Sequence, residues 1–187
     1  MTVIDPARGL LPHARFVASP NCNARPEGVV IDLLVIHGIS LPPGKFSGDA
    51  IEALFTNSLD VDADPGFAGL RGLEVSAHLL IRRDGKVIQF VPFGERAWHA
   101  GVSRFQGRDG CNDFSIGIEL EGTDEIPYTK AQYRRLIVVA RALMKAYPGI
   151  TPERVVGHVD IAPGRKTDPG PVFDWAQLRA GLKRKGR

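Results

Sequence analysis

Residues 157–170 place an imidazole, an ammonium and a carboxylate in one Pro/Gly-rich segment. His158 ends a short apolar run, and Lys166 and Asp168 follow two residues apart. Side chains at positions i and i+2 of an extended segment point the same way, so these two can face one spot. An imidazole and a carboxylate are zinc ligands, and an ammonium beside them can stabilise a developing oxyanion. For this segment alone, an ordinary surface loop with solvated charges is the alternative.

A second candidate ligand, His37, stands at the end of the run 29–36. That run is apolar on both faces, which is typical of a strand buried in the middle of a sheet. His158 repeats the pattern after residues 155–157. Ligands of α/β proteins collect at the carboxyl ends of such strands. His37, His158 and Asp168 therefore form a candidate zinc set, since a catalytic zinc takes three protein ligands and leaves a fourth position for water.

A candidate proton carrier lies in the segment 115–121, which alternates strictly between apolar and polar residues. The alternation predicts a strand with one face on the core and the other toward solvent or a cleft. Glu119 lies on the second face near Gly117, whose missing side chain leaves room for a ligand or another backbone. A hydrolytic zinc centre needs a base that later protonates the leaving amine, and Glu119 fits. A solvated glutamate on a half-exposed strand is the alternative.

The elements that must position these residues alternate between strand and helix signals. Strands are predicted at 76–81 and 86–91, on either side of the hairpin signal Asp84-Gly85. Thr129 with Gln132 predicts a capped helix whose apolar stripe packs on the sheet. The mixture favours an α/β fold: a single domain with a central mixed β-sheet flanked by helices, and the zinc site in a cleft at strand ends.

Shorter features complete this prediction. Asp49 with Glu52 has capping-box spacing and predicts a short helix, and a last helix is expected to begin near residue 174. Segment 10–28 is expected to be a strap over the domain. Residues 58–74 are rich in Gly, Pro and Asp and predict a surface loop at the rim of a substrate cleft.

Composition favours one enzyme domain over residues 1–187, with its core at about 10–182 and a flexible basic tail at 183–187. The chain is 43% hydrophobic and 24% charged, with a net charge of +3. The start lacks a signal-peptide pattern, so a cytoplasmic location is expected. Cys22 and Cys111 are then expected to be free thiols. Sparse aromatic residues do not indicate nucleic-acid binding, and no apolar run has membrane-spanning length.

Four blocks of the sequence together resemble the zinc N-acetylmuramoyl-L-alanine amidases. The blocks are residues 35–37, 97–101, 112–119 and 157–170. The resemblance spans about residues 10–180 in the right order and is strongest to the AmpD-type cytoplasmic amidases, which recycle 1,6-anhydromuropeptides in Gram-negative bacteria. It implies one Zn²⁺ per chain held by His37, His158 and Asp168. It also implies that Glu119 is the general base and acid, and that Lys166 polarises the scissile carbonyl.

The resemblance further implies substrate-binding residues, namely Trp98, His99, Arg108 and Asn112. A structural role stays open for Trp98 and His99, and Asn112 is expected mainly to pin its loop. This chain has Gly110 where enterobacterial-type members often carry an arginine, and Glu74 where they carry a basic residue. Arg108 is included because it can take over the role of one of these missing basic residues. His78 is expected to be a hydrogen-bonded structural histidine.

The activity implied by the resemblance is hydrolysis of the amide between the lactyl group of a muramic acid and L-alanine. The expected partner is a small muropeptide, with no nucleic acid or membrane, and the chain is expected to be a monomer. Two alternatives remain: a peptidoglycan-recognition module that binds without cutting, and an amidase that acts on intact peptidoglycan. A complete ligand set favours an enzyme over the first, and the missing signal peptide argues against the second.

Overall fold

A computed structural model describes residues 3–5 and 7–183 of the chain. Its strands are β1 Arg15–Phe16, β2 Cys22–Ala24, β3 Leu33–Ile39, β4 Leu79–Ile81, β5 Val87–Gln89, β6 Glu95–Ala97, β7 Arg104–Phe105, β8 Arg108–Asp109, β9 Ser115–Glu121 and β10 Val155–Gly157. Its helices are α1 Ala50–Phe55, α2 Lys130–Ala146, α3 His158–Ile161 and α4 Trp175–Lys183, with 3-10 turns at Pro65–Leu70, Cys111–Asp113 and Pro152–Arg154.

Six strands form the central sheet in the order β1-β5-β4-β9-β3-β10. All neighbours in this sheet are parallel except β4 and β5, which form the predicted antiparallel hairpin. Gly85 turns that hairpin with φ +84°, a conformation that other residues rarely adopt. The pairs β2–β6 and β7–β8 lie outside the sheet. The predicted α/β fold with a mixed sheet and flanking helices is confirmed.

Helix α2 covers one face of the sheet. Thr129 accepts a hydrogen bond from the backbone of Gln132 and the Gln132 side chain accepts one from the backbone of Thr129, so the predicted capping box is present. The buried stripe of α2 packs on the apolar face of β9 in one cluster that also includes residues of α4. The site described below therefore lies on the opposite face, which carries Ser115, Gly117 and Glu119.

Three sequence predictions about the elements are wrong in part. Strand β3 begins at Leu33 rather than residue 29 and runs past His37 to Ile39, because its partner β9 starts opposite Leu33. The polar face of β9 was expected to face solvent or a cleft, but all seven residues of the strand are buried, which also excludes the alternative of a half-exposed strand. Helix α1 starts as expected, but Asp49 makes no capping hydrogen bond; Glu52 instead accepts hydrogen bonds from arginines outside the helix.

The two ends of the chain differ in part from the sequence prediction. Segment 10–28 contributes the short edge strand β1 and the strand β2 rather than only a strap. Lys183 ends α4, and the rest of the predicted basic tail, 184–187, lies outside the described residues. Over the part of the chain that is described, no helix combines the length and apolarity needed to cross a bilayer. Cys22 and Cys111 are free thiols.

Candidate metal and catalytic site

Three neighbouring strands place three candidate residues at one level. His37 on β3 is the register partner of Glu119 on β9, and Gly157 of β10 pairs with Ile36, so His158 follows beside His37. Adjacent strands are about 4.8 Å apart, which brings these side chains within contact of one another. His37 and His158 are 1% and 3% exposed, and Glu119 is 9% exposed. The site is thus at the carboxyl ends of parallel strands, but within the protein rather than on its surface.

The loop after α3 returns Asp168 to the two histidines. The backbone carbonyl of Asp168 accepts a hydrogen bond from Val159, 3.0 Å away. Pro169 packs against Gly157, where a Cβ would lie 2.9 Å from the proline ring. Tyr128 donates from its hydroxyl to the carbonyl of Pro169 at 3.0 Å. These contacts fix the position of the Asp168 carboxylate relative to β10.

The three candidate ligand atoms form a small triangle. His37 Nδ1 lies 3.0 Å from His158 Nδ1, and Asp168 Oδ2 lies 3.3 Å and 3.1 Å from the two nitrogens. Donors bonded to one tetrahedral zinc at 2.0–2.2 Å stand about 3.3 Å from each other. His158 Nε2 faces the carbonyl of Ala100 at 3.2 Å, and a carbonyl only accepts, so Nδ1 keeps its lone pair. The residues present fit a zinc ion.

The protonation states also suit a metal. Burial lowers the pKa of His37 to about 4, so the imidazole is neutral at pH 7, as a ligand must be. Burial acts to raise the pKa of Asp168, but the close contacts with His158 and His37 outweigh it and hold this pKa well below its usual range. The site therefore combines a neutral imidazole with an ionised carboxylate.

Glu119 has the environment of a proton carrier. Burial raises its pKa well above the ordinary value, the charge of Asp168 raises it further, and Lys166 acts in the opposite direction. Its Oε2 atom is buried and makes no hydrogen bond in the described structure. A carboxylate with a raised pKa and a free oxygen can take up a proton at neutral pH and release it again.

Lys166 is an exposed residue on the loop between α3 and Asp168. Its backbone amide donates to the carbonyl of Ala162 at 3.1 Å, which fixes the turn. Its positive charge acts to lower the pKa of Glu119, against the larger effect of burial, and that of His37. A role as the electrophilic helper stays a prediction.

The predicted substrate-binding residues lie in different places. Asn112 Oδ1 accepts hydrogen bonds from the backbone amides of His99 and Ala100, at 3.1 and 2.8 Å, and so pins that segment. Trp98 is half-buried and donates from Nε1 to Asn23. His99 is buried, and both its ring nitrogens contact protein atoms.

The structure does not bring Arg108 to the ligand triangle. Its guanidinium lies 3.8 Å above the ring of Phe114 and 2.8 Å from Asp32, just before β3. Asp32 precedes His37 by five residues, roughly 16 Å along an extended chain. The side chain is therefore held at the opposite end of the strand.

Two arginines that the sequence does not single out hold the site together. Arg25 donates to the carbonyls of Asn112, Asp113, Phe93 and Ser115 and contacts His78 Nε2. Burial lowers the pKa of Arg25 to about 10, which leaves it charged at pH 7. Arg165 donates to the carbonyls of Ala100 and Val102. The targets of both lie far away in the sequence, so no local signal could identify these arginines.

His78 has the structural role that was predicted. It is fully buried, and its Nδ1 accepts a hydrogen bond from the backbone of Gly117 at 3.0 Å. The space beside Gly117 is filled by a side chain. A Cβ there would lie 2.5 Å from the His99 ring, so the missing side chain makes room for that imidazole.

Comparisons with known proteins identify the family of this chain. The family model described as N-acetylmuramoyl-L-alanine amidase matches residues 26–171. The 1,6-anhydro-N-acetylmuramyl-L-alanine amidase AmpD of Escherichia coli is 59% identical over 172 residues, which cover 92% of this chain and 93% of that protein. A crystal structure of a selenomethionine AmpD derivative superposes with a TM-score of 0.92 at 56% identity, covering 97% and 99% of the two chains.

A more distant solved structure contains a bound substrate. It is the complex of the N-acetylmuramyl-L-alanine amidase AmiD from E. coli with anhydro-N-acetylmuramic acid-L-Ala-D-γ-Glu-L-Lys. This chain is 34% identical to it, with a TM-score of 0.59, and the match covers 84% of this chain and 60% of AmiD. Together, the family match, the high identity and the shared fold show that this chain is a member of the N-acetylmuramoyl-L-alanine amidase family.

Proposed function

We propose that this chain is a zinc-dependent amidase that cleaves the bond between the lactyl group of 1,6-anhydro-N-acetylmuramic acid and L-alanine in small muropeptides. The observation that carries the proposal is Glu119, a buried carboxylate with a free oxygen beside two imidazoles and an aspartate. The names of the AmpD and AmiD relatives support the choice of bond and of substrate.

The residues of the chain divide the reaction between them. His37, His158 and Asp168 would hold the zinc. A zinc ion in such a site would lower the pKa of a water molecule and polarise a carbonyl group. Glu119 takes a proton from the attacking water as the lactyl carbonyl carbon is attacked. Lys166 stabilises the negative charge on the carbonyl oxygen. Glu119 then gives its proton to the alanine nitrogen, and the amide bond breaks.

Trp98 is the residue best placed for a substrate contact. Trp98 presents a half-buried aromatic face that suits a sugar or a peptide stem. Asn112 and His99 support the walls of the site, and a substrate contact by either stays a prediction, as does one by Arg108. A cytoplasmic location, a monomeric state and independence from membranes and nucleic acids also stay predictions.

Product analysis tests the proposed reaction. We expect the purified protein to release a peptide that begins with L-alanine from a 1,6-anhydromuropeptide, as measured by mass spectrometry. Zinc chelation should abolish the release, and added zinc should restore it. Glu119→Gln should keep the zinc but lose turnover by a factor on the order of 100 or more, because only the proton carrier is removed.

Several outcomes would contradict the proposal. Full activity of a preparation shown to be free of metal would exclude the zinc mechanism. Tight binding of the muropeptide without release would identify a recognition module. Digestion of isolated sacculi at a rate similar to that of free muropeptide would identify an amidase for intact peptidoglycan.

A further inference from the structure

His99 lies directly behind the candidate ligand His37. His99 Nδ1 is 2.9 Å from His37 Nε2, the nitrogen that points away from Asp168. The other nitrogen of His99, Nε2, is 3.1 Å from the hydroxyl of Ser115. With both nitrogens engaged and the residue 9% exposed, the ring acts on the site through His37.

The direction of these hydrogen bonds follows from Ser115. Its hydroxyl has one proton, which it donates to the carbonyl of Cys111 at 2.6 Å, because a carbonyl can only accept. The hydroxyl oxygen must then accept from His99, so His99 carries its proton on Nε2. In a neutral imidazole the other nitrogen is an acceptor. His99 Nδ1 therefore accepts the proton of His37 Nε2.

We propose that His99 is a positioning residue that holds His37 in the Nε2–H tautomer, so that the Nδ1 lone pair of His37 faces His158 and Asp168. The value of this for catalysis rests on the proposed zinc site, whereas the tautomer itself is a property of the metal-free protein. Two lone pairs then face each other across the 3.0 Å between His37 and His158. A bound cation relieves that repulsion, which agrees with a ligand role for both.

The same short segment orients the second histidine. The carbonyl of Ala100, the residue after His99, accepts from His158 Nε2 at 3.2 Å. Asn112 holds the backbone amides of this pair, and Arg165 donates to the Ala100 carbonyl. One pinned dipeptide thus fixes the tautomers of two ligands, by a side chain for His37 and by a backbone carbonyl for His158. Hydrogen-bonded partners of this kind orient metal-bound histidines and tune their affinity.

The space that His99 occupies depends on Gly117. A Cβ at Gly117 would lie 2.5 Å from Cγ and 2.6 Å from Nδ1 of His99. It would also lie 2.7 Å from Cδ2, and Nδ1 is the atom that contacts His37. A side chain at position 117 would therefore displace the acceptor, and the glycine is explained by the imidazole that packs on it.

The test is ¹⁵N NMR of histidine-labelled, metal-free protein, combined with zinc affinity from competition with a chelator. In the wild-type protein we expect His37 as the Nε2–H tautomer. In His99→Leu, which removes the acceptor, we expect a mixture of His37 tautomers and zinc affinity about 10- to 100-fold lower. In His99→Asn, the amide oxygen takes the place of Nδ1, so tautomer and affinity should largely be restored. The exposed His13→Leu variant is the matched control and should change neither readout.

A His99→Leu variant that keeps the tautomer of His37, or binds zinc within about threefold of the wild type, would overturn the proposal. If this variant does not fold, Ser115→Ala decides, because it removes only the group that fixes the His99 proton. A single His99 tautomer and unchanged zinc affinity in Ser115→Ala would also overturn it. Failure of the proposed function is distinguishable, since a wild-type protein that never binds zinc can still show the Nε2–H tautomer.

Discussion

Asp168→Ala should lose both zinc and turnover. The substitution removes the only anionic member of the ligand triangle and leaves two neutral imidazoles. We expect zinc affinity to fall by more than the roughly 100-fold that loss of an outer-shell partner costs. Because a ligand that binds only the folded state raises its stability, the rise in Tm on zinc addition should also disappear. Metal content by mass spectrometry and Tm with and without zinc measure both effects.

An exposed carboxylate provides the control for this variant. Asp109 is 77% exposed and lies 3.7 Å from Arg104, a pair that contributes at most about 1 kcal/mol. Asp109→Ala should retain zinc, turnover and the zinc-dependent rise in Tm. Zinc affinity of Asp168→Ala equal to that of the control would exclude Asp168 as a ligand.

Lys166→Ala should keep zinc and the fold while kcat falls by roughly two to three orders of magnitude, as expected for loss of an oxyanion-stabilising donor. Lys166 is exposed and contributes only its backbone amide to the turn, so its side chain has no evident structural task. Lys166→Arg retains the charge in a planar group of different shape and should rescue kcat only partly. Turnover, metal content and Tm are measured for both variants.

The matched control for Lys166 is Lys130→Ala, an exposed lysine in the first turn of α2. Its turnover should be that of the wild type. If Lys166→Ala also retains near-normal kcat, another group stabilises the oxyanion. The role proposed for Lys166 is then wrong, even if the zinc site is correct.

The sequence could predict that His37, His158 and Glu119 lie close together because strand patterns constrain the direction of side chains. Buried apolar runs that end near His37 and His158 place both at the carboxyl ends of parallel strands. Strict alternation places Glu119 on the face that α2 does not cover. The first and last residues of the strands could not be predicted, because they depend on pairing partners far away in the chain. Strand β3, for example, starts only where β9 can pair with it.

Local signals succeeded where the interaction itself is local. The capping box of Thr129 and Gln132 forms between groups only three residues apart. The same spacing at Asp49 fails, since Arg82, at 2.8 Å, binds the Glu52 carboxylate. The role of His99 depends on packing between β9 and the segment after β6, which no periodicity in the sequence could show.

The most direct test of the zinc site is an anomalous-scattering measurement at the zinc edge on crystals of the zinc-loaded protein. We expect one peak about 2.0–2.2 Å from each of His37 Nδ1, His158 Nδ1 and Asp168 Oδ2. A peak beside any other group of residues would contradict the proposed site. A peak at bonding distance from His37 Nε2 instead of Nδ1 would contradict it as well.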